Sequence, residues 1–184
     1  MYIATLLDPS IDQQTQAIWS LLERNCGLSG IRVTPIPHFS WQGAASYEPE
    51  EVVQQKLIRI CEQIEPFDVH VTGLGLFTGE SPVLFLPVIK NQTLLEVHQR
   101  LWDELLPFAA AMSPYYAPDS WQPHITLAYK DVNPGNLVCA VEDLAFRDLS
   151  ATLRVNHLAM IYQSENEVGV KQRILFGPSQ ENAR

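Results

Sequence analysis

Two short segments of this 184-residue chain carry nearly the same residues: Pro37-His38-Phe39-Ser40 and Pro123-His124-Ile125-Thr126. In an extended strand successive side chains point to opposite faces, so His38 shares a face with Ser40, and His124 with Thr126. Phe39 and Trp41, like Ile125 and Leu127, then point the other way, into a core. Two imidazoles and two hydroxyls at one site can move two protons at a phosphorus centre without a metal. Histidine suits this because its ordinary pKa of about 6.5 lets one ring accept a proton while another donates one near neutral pH.

The pattern alone is not selective, because His70-Val71-Thr72 also fits it. Context separates the three. His38 and His124 each follow proline, which restricts the chain entering the strand. His70 runs into Gly73-Leu74-Gly75, which reads as a strand end or bulge, so it is assigned a structural or exposed place. His98, among Leu94, Leu95, Leu101 and Trp102, reads as a helical packing residue, and His157, beside Leu158 and Met160, as a residue of a late strand. No His-x-x-x-His or His-Glu-x-x-His spacing occurs, and no metal or other cofactor is expected.

Further along the strands, parity adds Gln42 to the face of His38 and Ser40, and Lys130 to the face of His124 and Thr126, if both strands stay regular. Tyr115, Tyr116 and Trp121 lie in a proline-rich segment over 107–123 that can cover the site and stack on a base, though packing the loop down is an equal reading.

Acidic residues outnumber basic ones, 21 to 12, for a net charge of -9. Duplex nucleic acid is held largely by Lys and Arg against phosphate, and no basic run is present to supply that. The expected partner is therefore a small nucleotide or an RNA end, with no duplex and no membrane, and the protein is expected to act as a monomer. Cys26, Cys61 and Cys139 are odd in number and widely separated, which favours three reduced thiols. Met1–Leu7 lacks a basic leader, and no apolar run approaches the roughly 20 residues of a membrane span, so a cytoplasmic location is expected.

The elements needed to hold the motifs follow from apolar spacing and breakers. A strand is expected over Met1–Leu7, then a helix from Asp8-Pro9-Ser10 to Gly27, then the first motif strand over Ile31–Trp41. A second helix starts at Pro49 and carries Val53, Leu57, Ile60 and Ile64. Strands at 67–71 and Val83–Ile89 and a helix over Gln92–Leu106 precede the second motif strand. A turn at Pro134-Gly135, a short helix over Leu137–Leu144 and two strands, Thr152–Gln163 and Val168–Phe176, close the chain. Several strands look hairpin-connected, which favours a mostly antiparallel α+β fold.

The paired tetrapeptides His38-Phe39-Ser40-Trp41 and His124-Ile125-Thr126-Leu127 resemble the mark of the 2H phosphoesterase superfamily, which includes the 2′-5′ RNA ligase-like proteins and cyclic phosphodiesterases. The likeness extends to Phe67–Phe77 with Val83–Leu86, similar to that family's central hairpin, and to its closing strands. It implies one domain over 1–184, built as two pseudo-symmetric lobes of mostly antiparallel sheet with outer helices around a central cleft. It also implies opening of 2′,3′-cyclic phosphates, or related 2′-5′ RNA ligase-like chemistry. His124 would be the base, His38 the acid, and Ser40 and Thr126 the holders of non-bridging oxygens. Ser40, Trp41 and Tyr129 depart from the family's commoner threonine, smaller aliphatic and arginine, which bears on how the rest of the substrate is held. Two rival readings are a non-catalytic nucleotide-binding module using the same cleft, and a structural domain in which the two strand histidines coincide by chance.

Overall fold

Each half of the chain lays a strand, a helix and an antiparallel return strand onto a common sheet. Strand β1 (Tyr2–Leu6) leads through α1 (Pro9–Cys26) to β2 (His38–Gly43), which pairs with β1. After β3 (Ser46–Tyr47), α2 (Glu50–Cys61), β4 (Phe67–Val71) and β5 (Gly75–Phe77), the plan repeats. Strand β6 (Val83–Pro87) leads through α3 (Gln92–Leu105) and the short β7 (Ala109–Ala110) to β8 (His124–Ala128), which pairs with β6. Helix α4 (Pro134–Leu144) and strands β9 (Ala151–Val155), β10 (His157–Gln163) and β11 (Val168–Leu175) follow. This computed structural model describes residues 1–164 and 167–178.

The expected two-lobed antiparallel arrangement takes the form of one seven-stranded sheet, ordered β11-β10-β1-β2-β8-β6-β5. The motif strands β2 and β8 are neighbours in its middle. Strands β4 and β9 form a separate pair, as do β3 and β7. Helices α1, α2 and α3 contribute Trp19, Leu22, Leu57, Ile60, Leu94 and Leu101 to a core shared with Ile3, Phe39, Trp41, Ile125 and Leu127 of the sheet. Each such aliphatic side chain stabilises the fold by about 1.5–3 kcal/mol through burial.

Helix α1 begins where Asp8 Oδ1 accepts the amides of Ser10 and Ile11, and ends where Gly27 takes a left-handed φ of 71°. Helix α4 begins earlier than expected. Asn133 forms a capping box with Asn136, so Pro134 and Gly135 are the first helical turn rather than a separate turn. The strand expected over Ile31–Trp41 starts only at His38. Gly30–Val33 winds into a 3-10 turn, and Pro35 and Pro37 have no N–H to give a ladder. The segment 67–77 is not one arm of a hairpin: β4 pairs with β9 and β5 with β6, divided at Gly73, whose φ is 74°.

The cysteines are a correction. Cys26, at the end of α1, and Cys139, in α4, form a disulfide with Cα atoms 5.7 Å apart. Helix α4 folds back onto α1, bringing together residues separated by 113 positions, which local sequence does not register. Cys61 is free and buried, and burial pushes its thiol up to about 12. Among the described residues no helix is long and apolar enough to cross a membrane.

Candidate functional site

The two motifs sit in the same backbone frame. His38 is opposite Leu6 and Ser40 opposite Ala4; likewise His124 is opposite Pro87 and Thr126 opposite Phe85. Strands β2 and β8 meet at one registered pair, Phe39 with Ile125, both fully buried. Continuing that antiparallel register puts His38 across from Thr126 and His124 across from Ser40, on the face opposite the two buried side chains. Each imidazole therefore stands across from the other half's hydroxyl, at alternate corners of a square.

Both strands then break step at the same place. Ile3 pairs with Gln42 and Ala4 with Ser40, leaving Trp41 without a partner; Leu84 pairs with Ala128 and Phe85 with Thr126, leaving Leu127 without one. These are β-bulges, and each resets the alternation of faces. Gln42 and Ala128 consequently turn inward and are buried, while Gly43 and Tyr129 line the cleft. Strand parity alone places Gln42 and Lys130 at the site; the bulges remove both. Gln42 instead accepts the Tyr47 hydroxyl at 3.2 Å. Lys130 lies beyond the end of β8 with φ 75°, its ammonium over the Tyr129 ring at 5.6 Å.

The histidines are oriented identically. His38 Nδ1 lies 2.6 Å from the Ile36 carbonyl and His124 Nδ1 2.7 Å from that of Gln122. A carbonyl only accepts, so Nδ1 carries the hydrogen in both rings, and Nε2 is the atom left for chemistry. The intervening Pro37 and Pro123 fix the backbone between each ring and its anchor. Burial holds both imidazoles below their ordinary pKa, opposed by those carbonyls, and the nearby charge of His124 lowers His38 further. A proton on one ring therefore disfavours a proton on the other.

A cleft of about 900 Å³ opens over this square. On the His38 side its walls are phenols. Tyr2 lies 6.4 Å from His38 between ring centroids, and the Tyr116 hydroxyl hydrogen-bonds Ser40, with burial pushing its pKa up to about 12. Gly43 makes room there, since a Cβ would stand 2.8 Å from Tyr116 and 3.0 Å from Tyr2. On the His124 side the imidazole is flanked by phenyl rings: Phe77, in the cleft wall, meets it edge-on at 4.9 Å, and the buried Phe85 lies at 5.1 Å.

Two indoles brace the motifs crosswise. Trp19 of the first half donates to the Thr126 carbonyl at 2.9 Å, and Trp121 of the second half donates to the Ser40 carbonyl at 3.0 Å. Trp121 also stacks on His98 at 3.8 Å and on Trp41 at 5.5 Å, and is 2% exposed. Its indole thus supports the floor of the cleft instead of standing free to stack on a base. Tyr115 is 79% exposed at the rim.

Of the residues singled out from sequence, His38, Ser40, His124, Thr126, Tyr115, Tyr116 and Trp121 line the cleft, and Gln42 and Lys130 do not. His70 is exposed on β4, its Nδ1 3.2 Å from the Thr152 hydroxyl, away from the cleft. His157 is a buried strut whose Nε2 accepts the Leu6 amide at 3.1 Å. Sequence reading missed Tyr2, Trp19 and Phe77, whereas Tyr129, singled out there as a departure from the family pattern, does line the cleft. Tyr2 and Phe77 sit at strand ends, where alternation gave no reason to choose them. Among the described residues, one cluster of three side chains has metal-ligating atoms: Cys26, Cys139 and Asp143, whose two sulfurs are joined.

With this geometry in view, the comparisons are consistent. Residues 5–167 match the model of the 2′-5′ RNA ligase superfamily, so the chain belongs to that family. The fold is similar to TT0787 of Thermus thermophilus, with TM-score 0.62, 17% identity, and coverage of 97% of this chain and 98% of that one. It is also similar to E. coli LigT in complex with 3′-AMP, with TM-score 0.60, 16% identity, and coverage of 95% and 96%. LigT in complex with NADP+ gives TM-score 0.59 at 13% identity, covering 96% of each chain. No curated protein sequence matches the chain.

Proposed function

We propose that this member of the 2′-5′ RNA ligase superfamily opens 2′,3′-cyclic phosphates of nucleotides or RNA ends, with His38 and His124 as its acid–base pair. The observation that carries the reading is the paired anchoring of both Nδ1 atoms, at 2.6 and 2.7 Å, which leaves two Nε2 atoms to share a phosphate. In ring opening, one neutral Nε2 takes a proton from water as its oxygen bonds to phosphorus in line with the leaving ester oxygen. That P–O bond breaks, and the other ring, as imidazolium, gives its proton to the released oxygen. The products are a phosphomonoester and a free hydroxyl. The resemblance in the sequence assigns His124 as base and His38 as acid, and the reverse reaction exchanges the roles. Ser40 and Thr126 donate to the non-bridging oxygens as charge develops.

The complexes that LigT forms with 3′-AMP and NADP+ support a nucleotide as the substrate class. Nothing in this route requires a metal, because protons move only between water, imidazole and substrate. A cytoplasmic setting and a monomeric state are part of the same reading. The test is turnover of 2′,3′-cyclic nucleotides in EDTA by wild type, His38→Ala and His124→Ala. Activity that survives chelation and is abolished by either substitution is the expected result. Tight nucleotide binding without turnover would replace the enzyme with a binding module, and loss on chelation would sink the metal-free route.

A further inference from the structure

Among the described residues that line the cleft there is no Lys, Arg, Asp or Glu. Its surface beyond the motifs is aromatic (Tyr2, Tyr129, Tyr115), aliphatic (Ile31, Leu76, Val83) or neutral and hydrogen-bonding (Thr34, Thr78, Ser113). The cations adjoining those walls each have a partner and do not line the cleft themselves. Arg32 pairs with Glu23 at 3.0 Å and lies 5.8 Å from the centre of the Trp19 ring; Lys90 donates to the Trp121 carbonyl at 3.0 Å; the Lys130 ammonium lies 5.6 Å from the centre of the Tyr129 ring. The chain as a whole carries -9.

Charge counting then narrows the substrate. A 2′,3′-cyclic phosphate is a diester with one negative charge, and two imidazoles sharing one proton carry one positive charge. The two cancel. A 5′-phosphate adds about 1.5 to 2 further negative charges near neutral pH, and each internal diester of an RNA strand adds one. No described residue of the cleft lining offers those charges a cation, and the negative charge of the chain as a whole repels them. Neutral hydroxyls and phenols can still hydrogen-bond ribose and base, and aromatic faces can stack on the base. A cleft of about 900 Å³ has room for one nucleotide.

We propose, resting on the catalytic reading above, that the site takes substrates whose single phosphate is the cyclic one. A nucleoside 2′,3′-cyclic phosphate is preferred, and 5′-phosphorylated or oligonucleotide ends are selected against. Tyr129, turned into the cleft by the bulge at Leu127, is the neutral residue that sets this preference.

The experiment compares kcat/KM for adenosine 2′,3′-cyclic phosphate, its 5′-phosphorylated counterpart and a trinucleotide ending in a cyclic phosphate, at low and high salt. The expected preference for the singly charged substrate is about tenfold or more at low salt, narrowing as salt screens the repulsion. In Tyr129→Arg the preference should shrink by about tenfold. Equal or better turnover of the phosphorylated or longer substrates, or a preference indifferent to salt, overturns the proposal. Calorimetric binding of adenosine 2′-monophosphate against adenosine 2′,5′-bisphosphate reads the same selectivity without chemistry. Binding that favours the monophosphate, with no turnover of any cyclic substrate, would uphold the preference and sink the catalytic reading. Turnover with no preference would do the opposite, and equal binding of the two would also overturn the proposal.

Discussion

The first and second halves of the cleft share their backbone devices and differ in their walls. Both hold a histidine by the carbonyl two residues back, across a proline, and both bulge at the residue after the hydroxyl. Both receive an indole from the other half. Yet His38 faces the phenols of Tyr2 and Tyr116, while His124 is boxed by Phe77 and Phe85. The difference separates two demands. What repeats is what a proton transfer needs, namely a fixed Nε2 beside a hydroxyl. What differs is the ring set beside each histidine, phenols at His38 and phenyl rings at His124.

The sharpest challenge to the equivalence of the halves is removal of either histidine. His38→Ala and His124→Ala should each reduce kcat by about 10²–10⁴, and the double variant should be little worse than either single one. Unequal losses, with one single variant near wild type, would break the pairing. The pH profile of kcat/KM should be a bell whose maximum lies below pH 6.5, because both rings are held below their ordinary pKa and the acid loses its proton as pH rises. A maximum above pH 7.5 would contradict that.

Behind the reactive pair lies a second one. His157 supports β1 at Leu6, the partner of His38, and His98 supports Trp121. Burial pushes each down to about 4. Their unfolded-state pKa is the higher, so the unfolded chain binds more protons in this range. Stability should be intact above about pH 6.5 and fall progressively towards pH 4, by up to about 3 kcal/mol per histidine. Urea unfolding across that range checks it, and His157→Gln should flatten the slope.

Smaller effects test the braces and the walls. Trp19→Phe and Trp121→Phe each leave a motif carbonyl without its donor and should cost about 1–3 kcal/mol in chemical denaturation. Comparable losses would confirm that the halves stabilise each other reciprocally. The smallest change is expected from His70→Ala, which should retain activity within about twofold, since exposed strand residues away from a site rarely act on it. A loss comparable to His38→Ala in a folded variant would mean the reactive pair had been misidentified.

The motifs, the α1 caps and the helix–strand order are legible in the sequence because each is encoded locally, by a proline, an Asp8 cap or an apolar period. The failures share a cause. Whether Gln42 faces the cleft depends on how many residues of β1 oppose β2, and a bulge is a property of two strands together. The Cys26–Cys139 bond depends on α4 folding back onto α1. For Trp121 the sequence leaves base stacking and loop packing as equal readings, and the Ser40 carbonyl that accepts its indole N–H decides for packing. Pro134-Gly135 reads as a turn until Asn133 is known to cap a helix.

The single Phe39–Ile125 pairing has one more consequence. An antiparallel pair has a local two-fold axis between its strands, and here that axis passes between the two motifs. A phosphodiester has nearly the same symmetry, exchanging its two ester oxygens and its two non-bridging oxygens. Four groups arranged about such an axis treat the 2′ and 3′ oxygens of a cyclic ester alike. The handedness of the outcome, and so which isomer is released, falls to the unlike walls: the site is symmetric where bonds change and chiral only where the substrate is recognised.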